Sequence, residues 1–250
     1  MTAPLTMNRL IHGAVRRDLD RLDVALAQVT ATDRGRAQEL QRAYANLQRE
    51  LTHHHEAEDA YIWPMLKGFG VDPALLVAME SEHQAMSDAL SATGAAMSAF
   101  AATGSAADAA AARASVVQTR EVVERHLQHE ENEVEPQMGR YVETPEWKVV
   151  EKKLSRQPPG VAGRFFAWLT DGMAEDHRAF LKQTVPSAVV TVLSKTFGRS
   201  YYKQVAPAWR HRSPIVPSGA RRVPRRRDEA AQPAGGRLVA AVSAGGRRVT

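Results

Sequence analysis

One pattern of histidine and glutamate occurs twice in this chain. Each copy has a histidine and then, 42 or 43 residues later, a second histidine that is followed four positions on by a glutamate. The first copy is His12, His54 and Glu58, and the second is His83, His126 and Glu130. The copies are offset by 71 or 72 residues, which predicts two related helical hairpins whose equivalent faces meet.

All six residues fall on apolar stripes of helical period. His12 lies between Leu5 and Leu19 on the seam of a first helix, and equivalent stripes run through three further segments of residues 5–142. The breaks between the segments fall near residues 30–35, 68–73 and 103–105. The sequence therefore predicts an all-α, antiparallel up-and-down four-helix bundle. Because a buried, unpaired carboxylate costs several kcal/mol, six polar residues inside it need a shared partner.

A pair of metal ions would be that partner. The chain contains no cysteine, so thiolate sites are excluded, and His-x-x-x-Glu places an imidazole and a carboxylate one helical turn apart. Four imidazoles and two carboxylates exceed the four ligands of a structural zinc site and suit two ions with positions left open. Neutral imidazole suits iron, copper, nickel or zinc, and a bridging carboxylate suits iron or manganese. We predict that the terminal nitrogen ligands are His12, His54, His83 and His126. The bridging carboxylates are predicted to be Glu58 and Glu130.

The order of the ligands separates two kinds of helical-bundle metal protein. Ferritin-like proteins use Glu-x-x-His, whereas here histidine precedes glutamate and the other two helices offer histidine. The chain resembles the hemerythrin-like (HHE cation-binding) family over about residues 5–142. The resemblance rests on LIHGAVRRDLDRL (His12), HHHEAEDAYIWP (His54, Glu58), ESEHQAM (His83) and HLQHEENEVEP (His126, Glu130). It implies a four-helix bundle with a non-haem di-iron centre and roles in O2 carriage, in iron or oxygen sensing, or in reaction with peroxide or nitric oxide.

The third helix departs from the oxygen-carrying members of that family. They have two histidines there, where this chain has Met79 and His83. The site is one nitrogen short unless Glu80, His55 or His129 completes it. An open position on iron favours redox chemistry or sensing over reversible O2 storage.

Several residues near the motifs have simpler expected roles. Neighbours of ligand positions point away from the stripe, so solvated surface is expected for His53, His55, His129, Glu131, Glu133 and Glu135. His177 lies outside the repeat, and we expect it to be structural or exposed. Pro64 and Pro136 are expected to stop or kink their helices.

The distribution of charge divides the chain. Residues 1–145 carry 13 Lys and Arg against 21 Asp and Glu, whereas residues 146–250 carry 20 against 7. We predict a bundle over 1–143, a basic helical extension over 144–206, and a disordered Arg-rich tail over 207–250. Residues 161–182 and 185–197 are each expected to form one helix of the extension. The tail lacks base-reading features, so no specific nucleic-acid partner is expected, although weak contact of the basic part with a membrane surface is compatible with its charge.

These features together predict a cytoplasmic protein, because no secretory signal or transmembrane segment is recognisable. Its expected function is to bind or react with O2, peroxide or nitric oxide at a di-iron site, in oxidative or nitrosative stress or in iron handling. Whether it turns over as an enzyme is left open. The alternative is a regulatory iron or oxygen sensor that acts through a protein partner, whose identity the sequence does not indicate. A plain structural bundle without metal is the third interpretation.

Overall fold

Capped helix starts and short turns divide the first part of the chain into four long helical segments. The structure is a computed structural model that describes residues 5–210. The segments are α1 (Met7–Ala27), α2 (Arg34–Ala57) with its continuation α3 (Trp63–Gly68), α4 (Pro73–Thr103), and α5 (Ala106–His129) with its continuation α6 (Glu135–Met138). Each start has a polar side chain that accepts a hydrogen bond from a first-turn N–H, at Thr6, Asp33, Asp72 and Ser105.

The turn between α4 and α5 requires glycine. Gly104 has a φ of 69°, and its carbonyl accepts a hydrogen bond from the Asp33 N–H at 3.0 Å. A Cβ on Gly104 would lie 2.6 Å from the backbone nitrogen of Arg34. This close approach attaches the α4–α5 turn to the start of α2 and helps to align the two hairpins.

The four segments form an up-and-down bundle, as predicted. α1 packs on α2 and α5, and α4 packs on the same two helices. We call the large apolar interior the main core; its members include Val15, Leu19, Leu22, Leu47, Leu51, Met86, Val116 and Val123. A second apolar group, the end cluster, lies beyond the histidines; its buried members are Ile62, Trp63, Leu66, Val71, Leu76, Met79, Val134 and Val150.

Two π turns interrupt the second and fourth segments at equivalent places. They span Glu58–Ile62 and Glu130–Val134, and each precedes a proline by two residues. Proline lacks an N–H and its ring clashes with the carbonyl four residues back, so the local helix cannot keep its ordinary pattern. Instead the Trp63 N–H donates to the Glu58 carbonyl, five residues back. Of the two expected outcomes, a stop or a kink, the stop does not occur at Pro64 or Pro136, since each helix widens and then continues.

The extension consists of short helices. They are α7 (Pro145–Ser155), α8 (Pro159–Thr170), α9 (Glu175–Thr184), α10 (Ser187–Val192), a π turn (Leu193–Phe197), α11 (Arg199–Gln204) and a 3-10 helix (Ala206–Trp209). The single helix expected over 161–182 is broken between α8 and α9, where Gly172 has a φ of 73°. Residues 207–209, predicted as the start of the disordered tail, instead belong to the 3-10 helix. From residue 211 onwards the predicted tail lies outside the described residues.

The extension packs on the bundle through a buried polar contact. Asp18 of α1 is fully buried, and the indole N–H of Trp168 in α8 donates to its Oδ2 atom at 2.8 Å. The Arg17 guanidinium donates to the other carboxylate oxygen and to the carbonyl of Trp168. At the other end of the bundle, Val150 of α7 joins the end cluster. Within residues 5–210, none of the helices is both long enough and apolar enough to cross a membrane.

Candidate metal centre

The six side chains predicted from the repeat converge inside the bundle. They lie between the two apolar groups: along α4, for example, His83 stands between Met79 of the end cluster and Met86 of the main core. Their donor atoms form two sets in which every atom lies within 4.8 Å of the others. The first set is His12, His54 and Glu130, and the second is His55, His83 and His126.

The two glutamates lie between these sets. Glu130 Oε2 is 3.2 Å from His12 Nε2 and 3.8 Å from His126 Nε2. Glu58 reaches His54 Nε2 with one oxygen at 3.4 Å and His83 Nε2 with the other at 3.6 Å. Each carboxylate thus faces one imidazole of each set, which is the placement required for a group that bridges two ions.

His55 is the member of the cluster that the sequence analysis placed on the surface. It is buried, and its ring stacks on that of His83 with centroids 4.2 Å apart. Of the three side chains considered for the missing nitrogen ligand, Glu80 is exposed and His129 pairs with Glu82 outside the cluster. His55 alone among the three enters the interior. It does so because the core-facing stripe of a helix is wide enough to include adjacent positions.

Charge and burial set the protonation of the imidazoles in the metal-free protein. Burial lowers the pKa of His54 to about 3, and repulsion by His12 adds to this effect. Burial also lowers the pKa of His55 and His126. At His12 burial acts in the same direction, but the nearby carboxylates of Glu130 and Glu131 raise its pKa to about 9. Neutral imidazole is the form that binds metals, so three of these side chains are ready at neutral pH and His12 must first lose a proton.

Glu58 and Glu130 are in opposite electrostatic situations. Burial and then the negative charge of Glu130 raise the pKa of Glu58. Burial acts on Glu130 in the same direction, yet the adjacent His12 imidazole holds the pKa of Glu130 below its usual range. Two buried carboxylates with one adjacent imidazolium leave the centre short of positive charge, which a divalent cation would supply.

Unpaired atoms test whether a metal fits this site. Nine buried side-chain nitrogen or oxygen atoms have no hydrogen-bond partner among residues 5–210, and five of them belong to the cluster: His55 Nε2, His83 Nε2, His126 Nε2, Glu58 Oε2 and Glu130 Oε2. Each unsatisfied buried polar group costs about 1–3 kcal/mol. All five are lone-pair donors of the types that bind iron, manganese or zinc, and all lie in the same cluster. The residues present therefore fit a metal site.

The comparison with known families agrees with this geometry. The family model of the hemerythrin HHE cation binding domain matches residues 4–138. The chain belongs to this family. No curated protein and no solved structure matches it significantly. The matched range of this hemerythrin-family chain covers the whole bundle and every side chain of the cluster, and it ends before α7.

Carboxylates also face the outer nitrogens of three imidazoles in this hemerythrin domain. His12 Nδ1 lies 2.9 Å from Glu131, His83 Nδ1 lies 2.8 Å from Asp59, and His126 Nδ1 lies 2.9 Å from Glu82. Such contacts fix the ring so that Nε2 faces the centre. They are hydrogen bonds that the sequence analysis did not predict.

The expected solvated acidic face is wrong for two of its three members. The side chain of Glu131 is only 13% exposed, and Glu135 is buried beside Thr6, Asn8 and Arg9. Glu133 is exposed, as expected. His53 is exposed, and His177 packs on Gly13, where a Cβ would lie 2.7 Å from its ring. Neither histidine takes part in the cluster.

Proposed function

We propose that this hemerythrin-family protein holds two iron ions between its two hairpins and binds or reacts with O2, peroxide or nitric oxide there. His12 and His54 would hold the first ion, and His55, His83 and His126 the second. Glu58 and Glu130 would bridge them. The observation that carries the proposal is that five buried metal-binding atoms of the cluster have no hydrogen-bond partner.

The donor set favours iron. Five imidazoles and two carboxylates mix nitrogen and oxygen ligands, whereas manganese and magnesium sites are dominated by oxygen. A structural zinc site closes with four ligands, and seven donors around two ions exceed what one such site requires. Iron accepts both imidazole and bridging carboxylate, and it is the metal expected from the resemblance.

The two ions would be unequal. The second would have three imidazoles, with His55 supplying the nitrogen that Met79 cannot, and the first would have only two. The ion held by His12 and His54 would therefore be the one with room for a small molecule. Bound iron would supply Lewis acidity and electrons to a small molecule at that position. The main core and the end cluster would exclude bulk water from both sides.

Iron content and spectra test this proposal directly. The protein produced with iron should contain about two iron ions per chain and should show a visible charge-transfer band that changes on addition of O2, peroxide or nitric oxide. His54→Ala and His126→Ala should each lose iron, whereas His177→Ala should retain it because its ring packs on Gly13 outside the cluster. A protein that contains zinc or no metal, or equal iron loss in all three variants, would contradict the proposal.

A regulatory sensor without turnover is the second candidate. The buried polar atoms without hydrogen bonds favour this candidate, because they destabilise the metal-free protein and metal binding would then stabilise the fold itself. α7, which packs on the end cluster through Val150, would transmit a change in the stability of the bundle to the rest of the extension. Counting peroxide molecules consumed per protein separates the two: an enzyme consumes many equivalents, and a sensor about one. A cytoplasmic location remains our expectation.

A further inference from the structure

Two acidic residues next to the bridging glutamates occupy equivalent places in the repeat. Asp59 follows Glu58, and Glu131 follows Glu130. Asp59 belongs to the first hairpin and faces His83 of the second, whereas Glu131 belongs to the second hairpin and faces His12 of the first.

We propose that Asp59 and Glu131 are a reciprocal pair of positioning residues, each of which orients the first-helix imidazole of the opposite hairpin for metal binding. The inference rests on the proposed function, because it assigns a role relative to the metal ions. It adds two residues, and a dependence of each hairpin on the other, to the proposed ligands.

Each imidazole lies between two consecutive carboxylates, one of which faces each ring nitrogen. His12 has Nε2 at 3.2 Å from Glu130 and Nδ1 at 2.9 Å from Glu131. His83 has Nε2 at 3.6 Å from Glu58 and Nδ1 at 2.8 Å from Asp59. With a metal bound, Nδ1–H would donate to the outer carboxylate and the Nε2 lone pair would be available to the ion.

The π turns explain how consecutive residues reach two sides of one ring. Successive side chains on an α-helix diverge by about 100°. Both carboxylate pairs stand at the first two positions of a π turn, Glu58–Ile62 in one hairpin and Glu130–Val134 in the other. The wider π turn reduces the rotation between neighbours, so both carboxylates of a pair can face the same imidazole.

The two supports differ in rigidity. Glu131 is 13% exposed and also accepts a hydrogen bond from Arg16 at 2.7 Å, and Arg16 is itself held by Glu124. Asp59 is 45% exposed, so solvent competes for its carboxylate. Removal of Glu131 should therefore have the larger effect.

Glu82 provides a third support that is not reciprocal. It lies on α4 and contacts His126 on α5, within one hairpin. The equivalent position in the first copy, 71 residues earlier, is the apolar Ile11, so His54 has no matching carboxylate. Of these three outer carboxylates, Asp59 and Glu131 contact an imidazole of the opposite hairpin, and Glu82 does not.

Stepwise metal titration of the full chain tests the proposal. We would measure anaerobic binding of Fe(II), and of Co(II) as a spectroscopic probe, to the wild type, Glu131→Ala, Glu131→Gln, Asp59→Ala and Asp59→Asn. Glu133→Ala and Glu56→Ala are matched controls, since both residues are exposed acids on the same two segments. Helical content and thermal unfolding of each metal-free variant show whether it folds.

The expected result is specific to one ion in each variant. Glu131→Ala should weaken one of the two binding steps by about 10–100-fold, the range found for lost outer partners of metal-bound histidine, and Asp59→Ala should weaken the other step by less. Glu131→Gln and Asp59→Asn should recover most of the affinity, because an amide oxygen still accepts the Nδ1–H bond. The controls should match the wild type.

Three outcomes would overturn the assignment. Alanine variants that bind both ions like the controls would remove the positioning role. Amide variants as weak as the alanine variants would show that negative charge, and not orientation, is what matters. A metal-free alanine variant that loses its helical structure would show that the contact is structural. A wild-type protein that binds no second ion would instead defeat the proposed function, which this design separates from the inference.

Discussion

The two hairpins of the bundle, α1–α2 and α4–α5, carry the same ligand pattern but are supported in different ways. The first contributes an extra imidazole, His55, where the equivalent residue of the second is the apolar Leu127. The second contributes Glu82 behind His126, where the first has Ile11. The outer face of α1 is covered by the extension through Asp18 and Trp168. The two copies thus agree in the positions of the inner ligands and differ in the residues around them, with His55 in the first hairpin and Glu82 in the second.

The largest effect should come from exchanging the accessory imidazole between hairpins. His55→Ala should weaken binding of the second ion and lower the metal content, because the second set loses one of its three imidazoles. Adding Met79→His should restore that ion, since position 79 lies one turn before His83 on the same buried stripe. Metal content measured by mass spectrometry checks both variants.

His53→Ala is the matched control for this exchange, because His53 is the exposed neighbour on α2. Its metal content should equal that of the wild type. Failure of the double variant to regain the second ion, with helical content preserved, would contradict the compensation of Met79 by His55.

A smaller effect should follow from uncovering the outer face of α1. Trp168→Ala removes a fully buried side chain and should lower the free energy of unfolding by about 3–5 kcal/mol. Trp168→Phe keeps most of the apolar contact but leaves Asp18 without its indole donor, at a cost of about 1–3 kcal/mol. Denaturant unfolding measures both values.

Val24→Ala is a surface control on α1, and it should change the free energy of unfolding by less than about 0.5 kcal/mol. If Trp168→Ala behaved like this control, the extension would not contribute to the stability of the bundle. The difference between the two hairpins would then be confined to the metal centre.

The smallest effect concerns the contact of His177 with α1. Gly13→Ala should cost about 1–3 kcal/mol because the new methyl group would meet the imidazole ring. His177→Ala removes that obstacle, so the double variant should recover most of the loss in thermal unfolding. The equivalent residue of the second hairpin, Gln84, is exposed, and Gln84→Ala should be nearly neutral. Equal losses in the single and double variants would show that the ring is not what excludes a side chain at position 13.

The sequence predicted the bundle and the convergence of six side chains because two independent signals coincided. The repeat located the residues, and the apolar stripe placed them inside. His55 was only one of three candidates for the missing ligand because its equivalent, Leu127, breaks the repeat, and only packing shows which neighbours of a ligand turn inward. Asp59 and Glu131 were detectable, since both copies have an acid after the bridging glutamate. Trp168 meets Asp18 across 150 residues, and no local pattern reports such a contact.

Neither donor set is complete within one hairpin. His12 and His54 are joined by Glu130 from the opposite hairpin, and His83 and His126 are joined by His55 from the first. A chain cut between α3 and α4, near Gly70, would yield two fragments that each hold only part of either coordination sphere. The smallest unit able to retain the ions is consequently a pair of hairpins, and mixing the separated fragments with metal would be the way to reassemble it.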